Sequence, residues 1–280
     1  KTQEANSLEE AGTVEVAFVA GKSFWFLCAL ASGFVTISTQ VAWTRILSMI
    51  IGSSTYAFSI VVALFLIGLA GGAWVIGRRD QSAHLRATIL KVEALTAVSL
   101  FLSLFVVNLI PGLLVNMGLR LQIASWAGLL ALQIIVTALL ILLPALLMGM
   151  VMPLVLFWAS TNKGGAVALV GRSYAINTIG AISGAFVTGF VLIPRTSTKF
   201  TLIVASAICL LVAGAAYQPS ASLGDAALRR SLSVGLTLAL VVVLFIMAPP
   251  MNLADLSIGA YDSLIRVLAQ SREGLTNDEK

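Results

Sequence analysis

Long apolar stretches recur along this chain and constrain its fold more than any other feature. A helix needs about 20 apolar residues to cross a hydrocarbon layer about 30 Å thick. About seven segments meet that requirement, and short polar loops separate most of them. The predicted spans are residues 23–44, 53–76, 92–110, 126–158, 172–193, 200–216 and 231–248. We therefore predict an all-α integral membrane fold, a bundle of about seven transmembrane helices.

The overall composition indicates that lipid, rather than water, surrounds most of the chain. Of the 280 residues, 59% are hydrophobic and 10% are charged, whereas a soluble domain is about half apolar and about a quarter charged. A water-soluble fold of this composition would lack the polar residues needed to cover its surface. The composition therefore excludes a soluble enzyme, a disordered chain and a fibrous repeat.

Three segments are predicted to lie outside the hydrocarbon layer. Residues 1–22 form a polar lead-in rich in Glu. Residues 112–125 are apolar on one side and too short to cross, so they predict an interfacial helix that follows the end of the third span at Pro111. Residues 251–280 are a polar extramembrane tail. The transmembrane helical domain is therefore predicted over residues 23–250.

The fourth apolar stretch, residues 126–158, is longer than one crossing of the bilayer requires. It contains Pro144 and Pro153, and no polar turn interrupts it. Proline kinks a helix, and an over-long helix accommodates the bilayer by tilting. We therefore predict a single kinked and tilted helix rather than two spans.

The basic residues predict how the bundle is oriented. The net charge is +5, and Lys and Arg collect beside spans on the cytoplasmic side of membrane proteins. With the N-terminus inside, the inner segments hold about ten Lys and Arg residues and the outer loops about four. The chain is therefore predicted to lie in a membrane with a cytoplasmic N-terminus. This distribution favours contact with the lipid bilayer and argues against a nucleic-acid partner.

Residues that could carry out chemistry are scarce in this sequence. It contains neither a glycine-rich nucleotide loop nor a metal-ligand spacing, and its single histidine, His84, lies in a basic loop. Cys28 and Cys209 are predicted to be small buried apolar groups. Lys91 and Glu93, near the start of the third span, are predicted to lie at the interface, where long side chains reach water. We accordingly predict no catalytic residue, no cofactor and no metal.

Polar side chains inside the predicted spans, or directly beside them, are candidates for buried polar contacts. Such groups are costly in lipid unless they have a partner. Gln40, Arg45, Gln133 and Asn177 are the candidates. Each could hydrogen-bond to a neighbouring helix or line a polar cavity, and the sequence favours contacts between helices.

Glycine pairs with a spacing of four residues indicate close helix packing. Gly68 and Gly72 form one pair in the second span, and Gly180 and Gly184 form another in the fifth. This spacing lets two helix backbones approach closely. Packing within the chain is the simpler interpretation. The alternative is an interface with a second copy of the chain or with another membrane subunit.

Two blocks of sequence resemble a known family. They are QVAWTRILSMIIGSSTYAFSIVVALFLIGLAGGAWVIGR (residues 40–78) and LLPALLMGMVMPLV (142–155) followed by GRSYAINTIGAISGAFVTGFVLIP (171–194). Together they resemble the membrane half of bacterial spermidine synthase-like proteins, in which a multi-span module precedes a soluble polyamine aminopropyltransferase-like domain. The segment ADLSIGAY (254–261) is similar to the stretch that leads into that domain, so the resemblance implies that the tail begins it.

The resemblance carries no catalytic residue onto this chain and shows one departure. Where the family usually has Glu, this chain has Gln40, which removes an intramembrane carboxylate that could pair with Arg45. The resemblance implies a non-catalytic membrane module of a bacterial cytoplasmic membrane that serves as an anchor or scaffold. Two alternatives stay open: an accessory structural subunit of a larger membrane complex, and a transporter of polyamines or other small solutes.

Overall fold

The described part of the chain is built from helices. A computed structural model describes residues 2–51, 55–78, 84–120, 126–161, 165–217 and 223–249. The helices are α1 (Thr2–Ile51), α2 (Thr55–Gly77), α3 (Leu85–Arg120), α4 (Trp126–Thr161), α5 (Ala166–Val187), α6 (Ile193–Arg195), α7 (Thr198–Ala216) and α8 (Leu223–Met247), with a π-helical turn (Thr188–Leu192) between α5 and α6. No strand occurs in these ranges, so the all-α prediction is confirmed.

Six helical segments in the described ranges are long and apolar enough to cross a membrane. They are Gly21–Ile50, Phe58–Gly77, Leu85–Leu113, Leu130–Thr161, Ala166–Arg195 and Thr198–Ala216. Helices suit this setting because every backbone N–H and C=O must find a partner within the protein when lipid surrounds it. In α8, the described apolar segment Gly235–Met247 is shorter, so a seventh span stays a prediction.

Three predicted boundaries can be compared with the helices. The polar lead-in does not form a separate element, because α1 begins at Thr2 and enters the first span without a break. The fourth span is one helix that contains both Pro144 and Pro153, as predicted. The third apolar span ends at Leu113, close to the predicted residue 110, but Pro111 does not end the helix, because α3 continues through this proline to Arg120.

Proline is tolerated inside membrane helices where neighbouring groups satisfy the freed backbone carbonyl. Residues 112–120 are therefore the last turns of α3 rather than a separate interfacial helix. The rest of the predicted interfacial helix, residues 121–125, and the tail over residues 251–280 lie outside the described residues.

The fifth span changes its helical geometry before it ends. After α5, residues Thr188–Leu192 form a π-helical turn, and Ile193–Arg195 complete the span. The chain then reverses at Ser197, whose side-chain oxygen accepts a hydrogen bond from the Phe200 backbone N–H over 3.1 Å. This N-cap satisfies one of the unpaired amides at the start of α7.

The helices of the bundle pack in pairs around a common core. The closest pairs are α2 with α4, α1 with α5 and α3 with α7, and α8 packs against α7. Lys199 joins the beginning of α7 to the end of α8 by donating a hydrogen bond to the Ala248 carbonyl over 3.0 Å.

Two apolar clusters fill the interior. The first lies towards the end of the bundle where α2 ends and α3 begins, and it includes Trp25, Ile89 and Val155. The second lies towards the opposite end and includes Trp43 and Leu104. Buried polar side chains of α1, α3 and α7 lie at the level where the two clusters meet: Ser32, Ser38, Thr39, Glu93, Thr96 and Ser206.

Candidate functional site

Glu93 is the acidic side chain that the bundle buries, with 3% of its surface exposed. The prediction that it reaches water at the interface is wrong. At a rise of 1.5 Å per residue, Glu93 lies about 12 Å along α3 from the first residue of the helix, Leu85. At that depth its short side chain does not extend to the water beyond the end of the helix. The helical phase explains the burial, because Ile89 and Leu100 lie four residues before and seven residues after Glu93 and are fully buried.

A small cavity lies beside Glu93, between α1, α3, α4 and α7. Its volume is about 10 Å³, counted as the space open to the centre of a water-sized sphere, which is room for about one water molecule. The lining includes six side chains with polar or sulfur atoms: Ser32, Thr36, Glu93, Thr96, Met148 and Cys209. Most of the cavity's surface is nevertheless apolar, because these side chains turn mainly carbon atoms towards it.

Three of the lining side chains carry hydroxyl groups: Ser32, Thr36 and Thr96. The Thr96 hydroxyl donates to the Val92 carbonyl of its own helix over 2.7 Å. Ser32 and Thr36 lie on α1, and Thr96 lies on α3 with Glu93.

Both cysteines lie close to Glu93. They are free and buried, as predicted, but they are not surrounded by apolar groups alone. The Cys209 thiol donates a hydrogen bond to the Glu93 carboxylate. Cys28 lies within electrostatic reach of Glu93 and of Arg86, and the Arg86 guanidinium carbon lies 4.8 Å from the centre of the Phe24 ring.

No cationic side chain pairs with Glu93 in the described ranges. Its polar partner there is the Cys209 thiol, which is a weak and neutral donor. An ionisable group inside a membrane is costly and is by default a candidate functional site.

The predicted glycine pair of α2 packs against the backbone of α4. A Cβ atom added at Gly68 would lie 2.5 Å from the Ala145 Cβ, and one at Gly72 would lie 2.9 Å from the Leu146 carbonyl carbon. Gly149 on α4 makes the reciprocal approach to Leu69. Gly72, which follows Gly68 in α2, contacts residues that lie later in α4, so α2 and α4 run parallel.

The predicted pair of α5 packs against α1 in the same way. An added Cβ at Gly180 would lie 3.0 Å from the Leu30 carbonyl carbon, and one at Gly184 would lie 2.5 Å from the Phe34 carbonyl oxygen. The Ser38 hydroxyl also donates to the Gly184 carbonyl over 3.3 Å. All four predicted glycines therefore face helices of the same chain.

The four predicted buried polar residues do not line the Glu93 cavity. Gln40, Gln133 and Asn177 are half-buried, whereas Arg45 is exposed. The prediction that Arg45 is buried is therefore wrong. The buried face of α1 at that level is occupied by Trp43 and its apolar neighbours, which leaves Arg45 on the outer side.

The functional residue that sequence reasoning missed is Glu93. Hydropathy placed it near the beginning of a span and assigned it to the interface. The signal that could have located it is its spacing from Ile89, Thr96 and Leu100, which marks the inward face of α3. Comparisons of this chain with protein-family models, curated proteins and solved structures give no match.

Proposed function

We propose that this chain is the membrane half of a spermidine synthase-like protein and serves as an anchor and scaffold for the soluble synthase-like part. The observation that supports the proposal is the packing of two parallel helix pairs, α1 with α5 and α2 with α4, through glycines that bring backbone against backbone. Close backbone contact maximises van der Waals packing, which drives helix association in lipid. A bundle held in this way gives an attached domain a fixed position at the membrane.

The outer surface of the bundle suits an anchor. On the fifth span, Ile182, Phe186 and Phe190 expose between 60% and 71% of their surfaces, as expected of side chains that meet lipid tails. The apolar outer surface of the helices then holds the protein in the lipid, and the glycine contacts inside the bundle fix how the helices pack. The attached domain is inferred from the resemblance to the spermidine synthase-like family, which covers residues 40–78, 142–155 and 171–194.

The proposal is tested by isolating the native protein from its membrane and analysing it by mass spectrometry, with and without chemical cross-linking. We expect a synthase-like polypeptide, either continuous with this chain or cross-linked to it. If the synthase-like part is a separate polypeptide, Gly184→Leu should reduce the amount recovered with the bundle, because the new side chain meets the α1 backbone. Gly189→Leu is the matched control, since nothing lies within 4 Å of a Cβ there.

Two results would contradict the anchor proposal. One is a native preparation, cross-linked in the membrane, that contains no synthase-like sequence. The other applies if the synthase-like part is a separate polypeptide, and it is equal recovery of that polypeptide with Gly184→Leu and Gly189→Leu when both variants are inserted in the membrane.

Solute transport is the second candidate function, and the buried Glu93 is the observation that favours it. A carboxylate beside a cavity within the membrane is typical of substrate and ion pathways. Uptake of a labelled polyamine into proteoliposomes tests this candidate directly. Uptake above that of empty liposomes, and lost in Glu93→Gln, would support transport, whereas uptake equal to that of empty liposomes would exclude it for polyamines.

A further inference from the structure

We propose that Glu93 is a proton-binding site of the bundle, where the carboxyl group is held as the neutral acid and exchanges its proton with water at the end where α3 begins. The site goes beyond the anchor function and does not require transport, because neither helix packing nor an attached domain needs an acid inside the bundle. An apolar residue at this position could pack at least as well.

The surroundings of Glu93 favour a neutral carboxyl group over a carboxylate. The side chain is 3% exposed, and the surface of the cavity beside it is mostly apolar. Ile89 and Leu100, on the same face of α3, are fully buried. An ionised carboxylate in such surroundings is so costly that the group takes up a proton instead. The neutral acid fits this interior without any counter-ion.

The titratable side chains that face Glu93 from the neighbouring helices are thiols in the described ranges. Cys209 on α7 donates a hydrogen bond to it, and Cys28 on α1 lies within electrostatic reach. The third neighbour, α4, has no titratable side chain between Trp126 and Thr161. A thiol is a weak and neutral donor, and it can donate to an oxygen of the neutral acid as well as to a carboxylate. These neighbours therefore leave the charge of Glu93 to be removed by a proton.

The cations of α3 and α7 lie away from the carboxyl group. Lys91 is exposed, and at two residues from Glu93 it lies on another side of the helix. Arg86 lies seven residues before Glu93, about 10.5 Å along the helix, and its guanidinium carbon is 4.8 Å from the centre of the Phe24 ring. Lys199 lies at the opposite end of the bundle, in the first turn of α7. None of these three side chains is placed to pair with Glu93.

The shortest path for proton exchange leads to the end of the bundle where α3 begins. Along α3, Glu93 lies about 12 Å from this end and about 40 Å from the other end, at Arg120. Cys28 lies within electrostatic reach of both Glu93 and Arg86, so it lies along this path. The contact between Arg86 and Phe24 is the outermost one on the path, and it must open for water to reach the carboxyl group.

Infrared spectroscopy of the full chain in detergent tests the protonation state directly, because a neutral carboxylic acid has a carbonyl stretching band that a carboxylate lacks. We expect this band at neutral pH, and we expect Glu93→Gln to remove it. The two buried cysteines provide a matched pair of variants. Cys209→Ala removes the hydrogen bond to the carboxyl group and should shift the band, whereas Cys28→Ala should leave its frequency nearly unchanged.

Transfer to D₂O tests the path, because the band moves as deuterium replaces the proton. Arg86→Ala removes the outermost contact and should speed this exchange by about 2–30-fold, the factor that corresponds to the loss of one cation–π contact. Arg78→Ala is the matched control. The guanidinium carbon of Arg78 also lies over an aromatic ring, 3.9 Å from the centre of Trp74, but on α2, which does not line the cavity. We expect this variant to leave the exchange rate unchanged.

The proposal is overturned if the neutral-acid band is absent at neutral pH, if it persists in Glu93→Gln, or if Cys209→Ala and Cys28→Ala shift it alike. Equal exchange rates in Arg86→Ala and Arg78→Ala would overturn the path assigned to the proton. The cysteine pair keeps the test decisive even if Glu93→Gln does not fold. None of these outcomes depends on a synthase-like partner or on polyamine uptake, so the site and the proposed functions fail independently.

Discussion

Replacing Gly72 with alanine should push α2 away from α4. Gly72 faces the backbone of Leu146, and an added Cβ would lie 2.9 Å from the Leu146 carbonyl carbon. Carbon atoms in contact are ordinarily about 3.5–4.0 Å apart. A backbone carbonyl cannot rotate aside as a flexible side chain can, so the two helices must separate by about 0.6 Å or more.

Gly71 supplies the matched control for this substitution. Its added Cβ would lie 3.9 Å from the Leu146 Cδ1 atom, which is ordinary van der Waals contact. Both glycines lie inside α2, so alanine gains about 1 kcal/mol of helix propensity at either position. This gain cancels in the comparison. The difference between the two variants is then the cost of overpacking alone, about 1–3 kcal/mol.

Thermal unfolding in detergent, followed by the loss of the folded peak in size-exclusion chromatography, measures this difference. A change of 1 kcal/mol shifts the unfolding temperature by about 2–4 °C in a protein of this size class. We therefore expect Gly72→Ala to unfold about 2–12 °C below Gly71→Ala. Equal unfolding temperatures for the two variants would refute the conclusion that α2 and α4 meet through their backbones at Gly72.

Two further pairs of variants test local features by the same measurement. Gly165 has a φ of 134°, so Gly165→Ala should lower the free energy of unfolding by about 1–2 kcal/mol. Gly171 lies within α5, and nothing lies within 4 Å of a Cβ there, so Gly171→Ala should raise it by up to about 1 kcal/mol. A Gly165→Ala variant more stable than Gly171→Ala would contradict the positive φ at Gly165. Trp43 is fully buried, and its indole N–H has no hydrogen-bond partner among the residues that the structure describes. Trp43→Ala should lower the free energy of unfolding by about 3–5 kcal/mol. Trp43→Phe removes the unpaired donor and keeps an aromatic ring, so it should lower the free energy of unfolding far less. Equal decreases for the two variants would contradict an unpaired indole N–H.

Hydropathy predicted the general fold because burial in lipid leaves a strong signal in every span. The apolar stretch over residues 126–158 corresponds to α4, including its passage through Pro144. The same reasoning failed at Pro111, since a proline in lipid ends a helix less often than one in water. Local sequence does not reveal whether neighbouring groups can satisfy the freed carbonyl.

The candidate site was harder to predict, because it depends on which helices become neighbours. The burial of Glu93 follows from the phase of α3, which the sequence contains. Its companions come from three other helices: Ser32 from α1, Met148 from α4 and Cys209 from α7. No spacing within one segment joins these residues, so the cavity emerges only from the tertiary arrangement.

The parallel pairing of α1 with α5 has a consequence for biosynthesis. Ser38 and Gly184, which meet across this pair, are 146 residues apart in the chain. A ribosome that adds about 5–20 residues per second needs about 7–30 s to make that length. During this interval α1 has entered the bilayer before α5 exists. Lipid or the insertion machinery must then cover the surface of α1 at Gly33, which in the folded protein lies against the α5 backbone at Asn177 and Ala181. Assembly of this bundle therefore cannot follow the order of synthesis, and a truncation that removes the fifth span should leave the first exposed to quality-control proteases.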